Sequence, residues 1–259
     1  MLKRIIVSLV GFYLFAIGYL YITQDDQVFN AKMLVVKEQK IPKGIEEVRL
    51  DVEDATLKGV YRKGPDAKTL VLYFGGNADD AREFVSVTRD LRDYDVLTFN
   101  YRGYVDSSGK PSQKALFSDA LRVYDTYTGQ KEVIVVGRSL GTGVATHLAS
   151  KRKVKGLVLI TPYDSILSMA QQKYPYFPIE VLLKHPFETV KEIGDVKAPI
   201  AVIEVDKDTT IPKYHLERLL EKTPKKPYHV TLYNTTHGDV LEHPEFTQEL
   251  EKLLGKMYE

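Results

Sequence analysis

Apolar and polar positions follow three different rhythms along this chain. Residues 5–22 (IIVSLVGFYLFAIGYLYI) form one apolar run without a charged side chain. Further on, Val48–Val52 and Leu57–Tyr61 alternate apolar with polar positions around Asp54-Ala55, the period-two mark of an antiparallel hairpin at a sheet edge. After that come short unbroken apolar runs: Leu70–Phe74, Val96–Asn100, Val133–Val136, Leu157–Ile160, Ile200–Val205 and Val230–Tyr233. Runs of this kind are strands covered on both faces, as parallel strands are. Between them lie helical stretches: Ala81–Leu91, Gln113–Tyr127, Gly143–Ser150, Tyr214–Lys222 and Pro244–Met257. In the second of these, Leu116, Ala120, Val123 and Tyr127 recur at helical spacing. Strand and helix in alternation predict an α/β domain with a mostly parallel, doubly wound sheet and right-handed crossovers. One stretch breaks the rhythm. Tyr163–Val196 is too long for a simple crossover and rich in Tyr, Pro and Leu, which predicts a small cap over the carboxyl edge of the sheet.

As a helix, Ile5–Ile22 would extend about 27 Å, close to the thickness of a bilayer's hydrocarbon core. Tyr19 and Tyr21 suit an interfacial position at its far end, and Asp25 and Asp26 follow. Lys3 and Arg4 on the amino side predict that the amino terminus stays inside and the remainder lies outside the cytoplasm. A cleaved secretory signal is the competing reading, but no small-x-small junction follows the run. A buried core helix is the third. The expected organisation is a membrane anchor at 1–24, a linker at 25–47 and a catalytic domain at 48–259 with its cap at about 163–196. All three readings leave the first segment out of the chemistry.

Composition narrows the chemistry. Thirty-six Lys and Arg against 35 Asp and Glu leave a net charge of +1, with no basic stripe to attract nucleic acid. The absence of cysteine removes thiolate metal sites, disulfides and a cysteine nucleophile. The six histidines show no zinc-binding spacing, so neither a metal nor a cofactor is expected.

The run Val133–Val136 leads into Gly137-Arg138-Ser139-Leu140-Gly141 and then a helix. This is G-x-S-x-G in the setting that gives it meaning: a strand, a sharp turn that lifts the serine hydroxyl, and a helix amino end. The flanking glycines leave room where strand and helix pass closely, and the Leu140 N–H can donate to a developing oxyanion. A glycine-rich phosphate loop is the bland alternative, but no Lys-Ser/Thr follows and the GxGxxG spacing is absent.

A serine nucleophile needs a histidine to take its proton and a carboxylate to orient the imidazole. Asp208 lies in the loop past Ile200–Val205, with Asp206 and Asp164 as rivals near strand ends. His237 lies in a polar loop after Val230–Tyr233, beside Gly238. His147, His215, His229 and His243 read as packing or surface residues. The order Ser139, Asp208, His237 is that of hydrolases carrying this serine motif. A second oxyanion donor is expected from Gly75-Gly76-Asn77-Ala78, after the third strand.

With these residues in view, the chain resembles the α/β-hydrolases of the Bem46-like group, which includes membrane-associated serine hydrolases and protein depalmitoylases. The resemblance spans roughly Val48 to Leu254. It rests on Tyr73-Phe74-Gly75-Gly76-Asn77-Ala78, on Asn100-Tyr101-Arg102-Gly103-Tyr104 followed by Ser108-Gly109-Lys110-Pro111-Ser112, and on Gly137–Gly141. Further matches are Tyr174-Pro175-Tyr176-Phe177-Pro178, Lys197-Ala198-Pro199, and Asp208 with Ile211-Pro212. It implies the α/β-hydrolase fold, oxyanion donors at Asn77 and Leu140, and the triad Ser139, Asp208 and His237. Three positions depart from the group's pattern: Gly75 stands for a histidine, Val105 for a glycine, and Glu204-Val205 for His-Gly.

The expected function is hydrolysis of a carboxylic ester or thioester of a small-molecule or acyl substrate through an acyl-enzyme. Tyr163, Tyr174, Tyr176 and Phe177 in the cap, beside a bilayer, suit an apolar substrate. A serine peptidase on the same fold is the nearest alternative. A non-catalytic protein that binds a lipid or a partner in the cap pocket is the other.

Overall fold

The computed structural model describes residues 1–31 and 44–259. Most of the 25–47 linker expected from the sequence lies outside the described residues.

Eight strands form one sheet: β1 (Ile45–Val52), β2 (Ala55–Arg62), β3 (Thr69–Phe74), β4 (Tyr94–Phe99), β5 (Glu132–Arg138), β6 (Gly156–Ile160), β7 (Ile200–Lys207) and β8 (Tyr228–Thr236). Their spatial order is β1-β2-β4-β3-β5-β6-β7-β8. The first two make the expected antiparallel hairpin, tightened to a turn at Glu53-Asp54, and β2 joins β4 antiparallel. All later pairings are parallel.

The period-two side-chain rule divides the apolar strand residues between two cores. Leu70, Leu72, Val133, Val135, Leu157 and Leu159 point to one face, where α3 (Gln113–Tyr127), α4 (Leu140–Lys151) and α8 (Lys213–Leu220) cover them. Val71, Ile134, Val136, Val158 and Ile160 point to the other, under α2 (Arg82–Val87) and α9 (Phe246–Lys256). The expected stripe on α3 is real: Leu116, Ala120 and Val123 are buried, and the Ser112 hydroxyl caps the helix by accepting from the Ala115 N–H. Several element bounds shift by a few residues. The helix after Ser139 starts at Leu140 rather than Gly143, and α2 ends four residues before Leu91.

Between β6 and β7, the predicted cap region carries three short helices, α5 (Ile166–Lys173), α6 (Ile179–Leu182) and α7 (Thr189–Glu192).

Helix α1 (Leu2–Val28) is long and apolar enough to cross a membrane, and its most apolar window is bare of protein contacts that bury it. It runs four residues past the boundary expected at 24, and its last turns are not detached. Gln24 and Val28 are buried, and Phe29 beyond the helix packs against His185 and Phe187.

Candidate active site

The carboxyl ends of β5, β7 and β8 bring Ser139, Asp208 and His237 together. Ser139 sits directly past β5 at φ 48°, ψ −119°, a left-handed conformation that costs about 1–3 kcal/mol and must be held by its surroundings. Its N–H donates to the Ile160 carbonyl of β6 at 2.9 Å, and α4 begins at the next residue. The motif's glycines have a steric cause. A Cβ at Gly137 would lie 2.4 Å from the Gly141 carbonyl oxygen, and one at Gly141 would lie 2.2 Å from that of Phe74.

The His237 Nδ1 is 2.8 Å from Asp208 Oδ2, and Nε2 is 2.9 Å from Ser139 Oγ. A carboxylate only accepts, so Nδ1 carries the proton and donates it; neutral Nε2 then accepts from the serine hydroxyl. Asp208 is itself fixed, since Oδ1 accepts from the Thr210 and Ile211 N–H groups at 2.9 and 2.8 Å.

Asn77 and Leu140, expected as oxyanion donors, border the same cavity as Ser139 and His237. The loop bearing Asn77 is held from several sides. The Tyr101 hydroxyl donates to the Gly75 carbonyl and the Tyr104 hydroxyl to the Asn77 carbonyl. Asn100 Nδ2 donates to Asp80, and Asn100 Oδ1 accepts from the Ala81 N–H. This explains why Asn100-Tyr101-Arg102-Gly103-Tyr104 accompanies Gly75-Gly76-Asn77: one segment braces the other. Arg102 ties the brace to α3 through a buried two-pronged pair with Asp119, at 2.6 and 2.7 Å. Val105, where the resemblance leads one to expect glycine, adopts φ 50°, so the backbone there has the shape that glycine suits.

The rival acids do other work. Asp206 lies on β7 and accepts from the Thr235 N–H, securing the irregular end of β8 just before His237. Asp164 is fully buried and accepts from His215 Nδ1 at 2.7 Å, with Arg218 Nη1 3.1 Å from its other oxygen. His215 is therefore a buried partner of Asp164 rather than a surface residue of its helix. Burial alone would raise the Asp164 pKa, but bonds from His215 and the Ser165 N–H, with the charges of His215 and Arg218, hold it below the usual carboxylate range. Such a carboxyl stabilises the fold above its unfolded pKa of about 4, and the contribution is lost as pH falls through the lower folded value. Asp164→Ala is expected to cost about 3–5 kcal/mol at neutral pH. It should also flatten the acid limb of the stability curve, as measured by denaturant unfolding across pH. The other histidines are accounted for locally. His147 pairs with Glu192 and stacks on Phe117, His229 lies near the start of β8 beside Glu204, and His243 accepts from the Glu245 N–H.

One residue escapes a reading of the motif as spacing alone. Arg138, the x before Ser139, is buried and salt-bridged to Asp79 at 2.8 Å, while its Nη2 donates to the carbonyls of His237 and Gly238 at 3.0 and 2.9 Å. Asp79 in turn accepts from the Gly76 N–H at 2.7 Å. Arg138 thus links the serine strand, the Gly75–Asp79 loop and the histidine loop. A long charged side chain between a buried apolar strand and the serine was the available signal.

The cavity over Ser139 has a volume of about 800 Å³, in the range of small-molecule sites. Its walls are mainly apolar, with Ile166, Met169, Ile179 and Leu182 from the cap and Ile211 from beyond Asp208. Of the four cap aromatics, Tyr163 and Tyr174 border it. Tyr176 and Phe177 instead meet α1, where Phe177 stacks on Tyr13 with ring centroids 5.4 Å apart. Among the described residues, no group of acidic, histidine or cysteine side chains is arranged to hold a metal.

Comparison with known proteins agrees with this architecture. Residues 69–188 match the family model of the alpha/beta hydrolase fold. An uncharacterized Mycobacterium tuberculosis protein is 32% identical over 176 residues, covering 65% of this chain and 63% of that one. The lysophosphatidylserine lipase ABHD12 of Rattus norvegicus is 30% identical over 225 residues, covering 72% of this chain and 56% of its own length. The chain thus spans about three fifths of these relatives. The crystal structure of a bacterial membrane phospholipase A superposes with a TM-score of 0.64 at 18% identity, covering 99% of this chain and 97% of that one. Sheet order, serine turn and these similarities agree: the chain has the α/β-hydrolase fold.

Proposed function

We propose that this protein is a membrane-anchored serine hydrolase that cleaves a carboxylic ester or thioester of an acyl substrate. The carrying observation is the Ser139–His237–Asp208 chain of hydrogen bonds, at 2.9 and 2.8 Å, opening into a largely apolar cavity. His237 Nε2 takes the hydroxyl proton as Ser139 Oγ adds to the acyl carbon, and Asp208 stabilises the imidazolium. The Leu140 and Asn77 N–H groups receive the oxyanion, where one such donor is worth about 3–4 kcal/mol. His237 then protonates the leaving alcohol or thiol, and afterwards activates the water that releases the acid and restores the serine. Similarity to the rat lysophosphatidylserine lipase favours a single-chain lipid ester as the substrate class.

Helix α1 serves as the anchor. Lys3 and Arg4 orient its amino end inwards and the hydrolase domain outside the cytoplasm.

A fluorophosphonate probe should label the full-length protein in detergent, and Ser139→Ala should abolish both the label and ester turnover. A folded wild-type protein that neither labels nor turns over acyl esters would instead be a binding protein on this fold.

A further inference from the structure

Helix α1 does more than tether. Leu20, Gln24, Gln27 and Val28, spaced at i, i+4, i+7 and i+8 on one helix face, border the cavity that holds Ser139. That face is clamped to the cap by directional bonds. Gln24 Nε2 donates to the Leu182 carbonyl at 3.0 Å, and its Oε1 accepts from the Lys184 N–H at 2.7 Å. The Tyr174 hydroxyl donates to Gln27 Oε1 at 2.9 Å. Higher on the helix, the Tyr13 hydroxyl donates to the Tyr176 carbonyl at 2.8 Å, and the Lys184 ammonium lies 4.4 Å from the Tyr21 ring.

Past the helix, the Asn30 N–H donates to the Asn77 carbonyl at 3.1 Å. The same segment that walls the cavity thus also pins the residue read as an oxyanion donor. Leu20 belongs both to this wall and to the uncharged run 5–22, whose first three turns are exposed apolar surface. Beside the helix the cap adds exposed apolar surface, Tyr176 and Val181, each 85% exposed. The apolar surface that a bilayer would cover therefore continues, without an intervening charged side chain on α1, into the wall of the reaction cavity.

We infer that the end of the membrane helix is a substrate-binding element. Leu20 and the turns that follow form one side of the acyl-chain site, and a single-chain membrane amphiphile reaches Ser139 along α1 from the bilayer. The inference rests on the serine-hydrolase reading and adds to it the identity of the acyl wall.

The test uses the full-length protein in lipid nanodiscs, comparing rates on p-nitrophenyl palmitate and p-nitrophenyl acetate. Leu20→Trp, which fills the wall, should lower the palmitate-to-acetate ratio about tenfold, the scale on which a pocket discriminates a few methylenes. Replacing residues 2–12 by an unrelated apolar helix, which keeps the anchor and leaves the wall intact, should hold the ratio within about twofold of wild type, far below that scale. Fluorophosphonate labelling of Ser139 reports folding of each variant. Should Leu20→Trp fail to label, Leu20→Ala carries the test: removing the wall's side chain should lower the ratio by about fivefold. A ratio unmoved in labelled Leu20 variants, or moved equally by the 2–12 exchange, overturns the inference and leaves the hydrolase reading intact. Hydrolysis of both esters by Ser139→Ala would overturn the hydrolase reading itself.

Discussion

Asp208→Asn is expected to cut ester turnover roughly ten-thousand-fold while leaving the fold in place. The cause is proton placement. In the native site Oδ1 accepts two backbone N–H groups, from Thr210 and Ile211, and Oδ2 accepts from His237 Nδ1. A carboxylate can accept on both sides, but an amide cannot. The asparagine oxygen will turn to the two N–H donors, so its NH₂ faces Nδ1 and makes that nitrogen an acceptor. The imidazole proton then moves to Nε2 and points at Ser139, where a base should be. Steady-state kinetics on a short ester, with circular dichroism to follow the fold, check this. Turnover within tenfold of wild type would mean that Asp208 is not the orienting acid.

The second large effect is expected at Arg138. Arg138→Leu removes the ion pair with Asp79 and both bonds to the carbonyls of the histidine loop, leaving the partly buried Asp79 carboxylate without its cation. Breaking such a pair from one side costs about 3–5 kcal/mol. Loosening His237 by an ångström should cost turnover about a hundredfold. Adding Asp79→Asn to Arg138→Leu removes the stranded charge, so the double variant should be more stable than the sum of the singles. Denaturant unfolding of the four proteins gives the coupling, and short-ester kinetics give the positioning effect. Strict additivity, or wild-type turnover in a folded Arg138→Leu protein, would show that the guanidinium braces nothing.

The residues of the candidate site were readable in proportion to how local their signals are. Ser139 stands out because steric crowding at a strand-to-helix turn demands glycine on both sides, and that demand is written within five residues. Asp208 and His237 stand out because each follows an apolar strand at the expected end of the sheet. Asp206 and Asp164, near strand ends, stood as the weaker rivals to Asp208. Only the register of β7 with β8, and the packing of α8 over β6, gave them their partners at Thr235 and His215. Arg138 and Asp79 lie 59 residues apart, and no spacing rule joins them. The expectation that residues 1–24 stand apart from the site meets Leu20 and Gln24 on the border of the cavity, for a related reason. Hydropathy describes the average environment of a helix and is blind to the one face that the cap meets.

The strand and helix alternation, the parallel sheet with its antiparallel edge, the apolar first helix and the serine turn were all legible along the chain. These follow from side-chain periodicity, backbone sterics and burial of apolar area, which act over a few residues at a time. What Asp206 and Asp164 bind in place of His237, which charged pair braces the loops, and that the apolar first helix ends along the cavity over Ser139 were settled only by folding. Those contacts join segments tens to more than a hundred residues apart. They are selected by shape and hydrogen-bond satisfaction once the sheet has assembled, and no local pattern of residues encodes them.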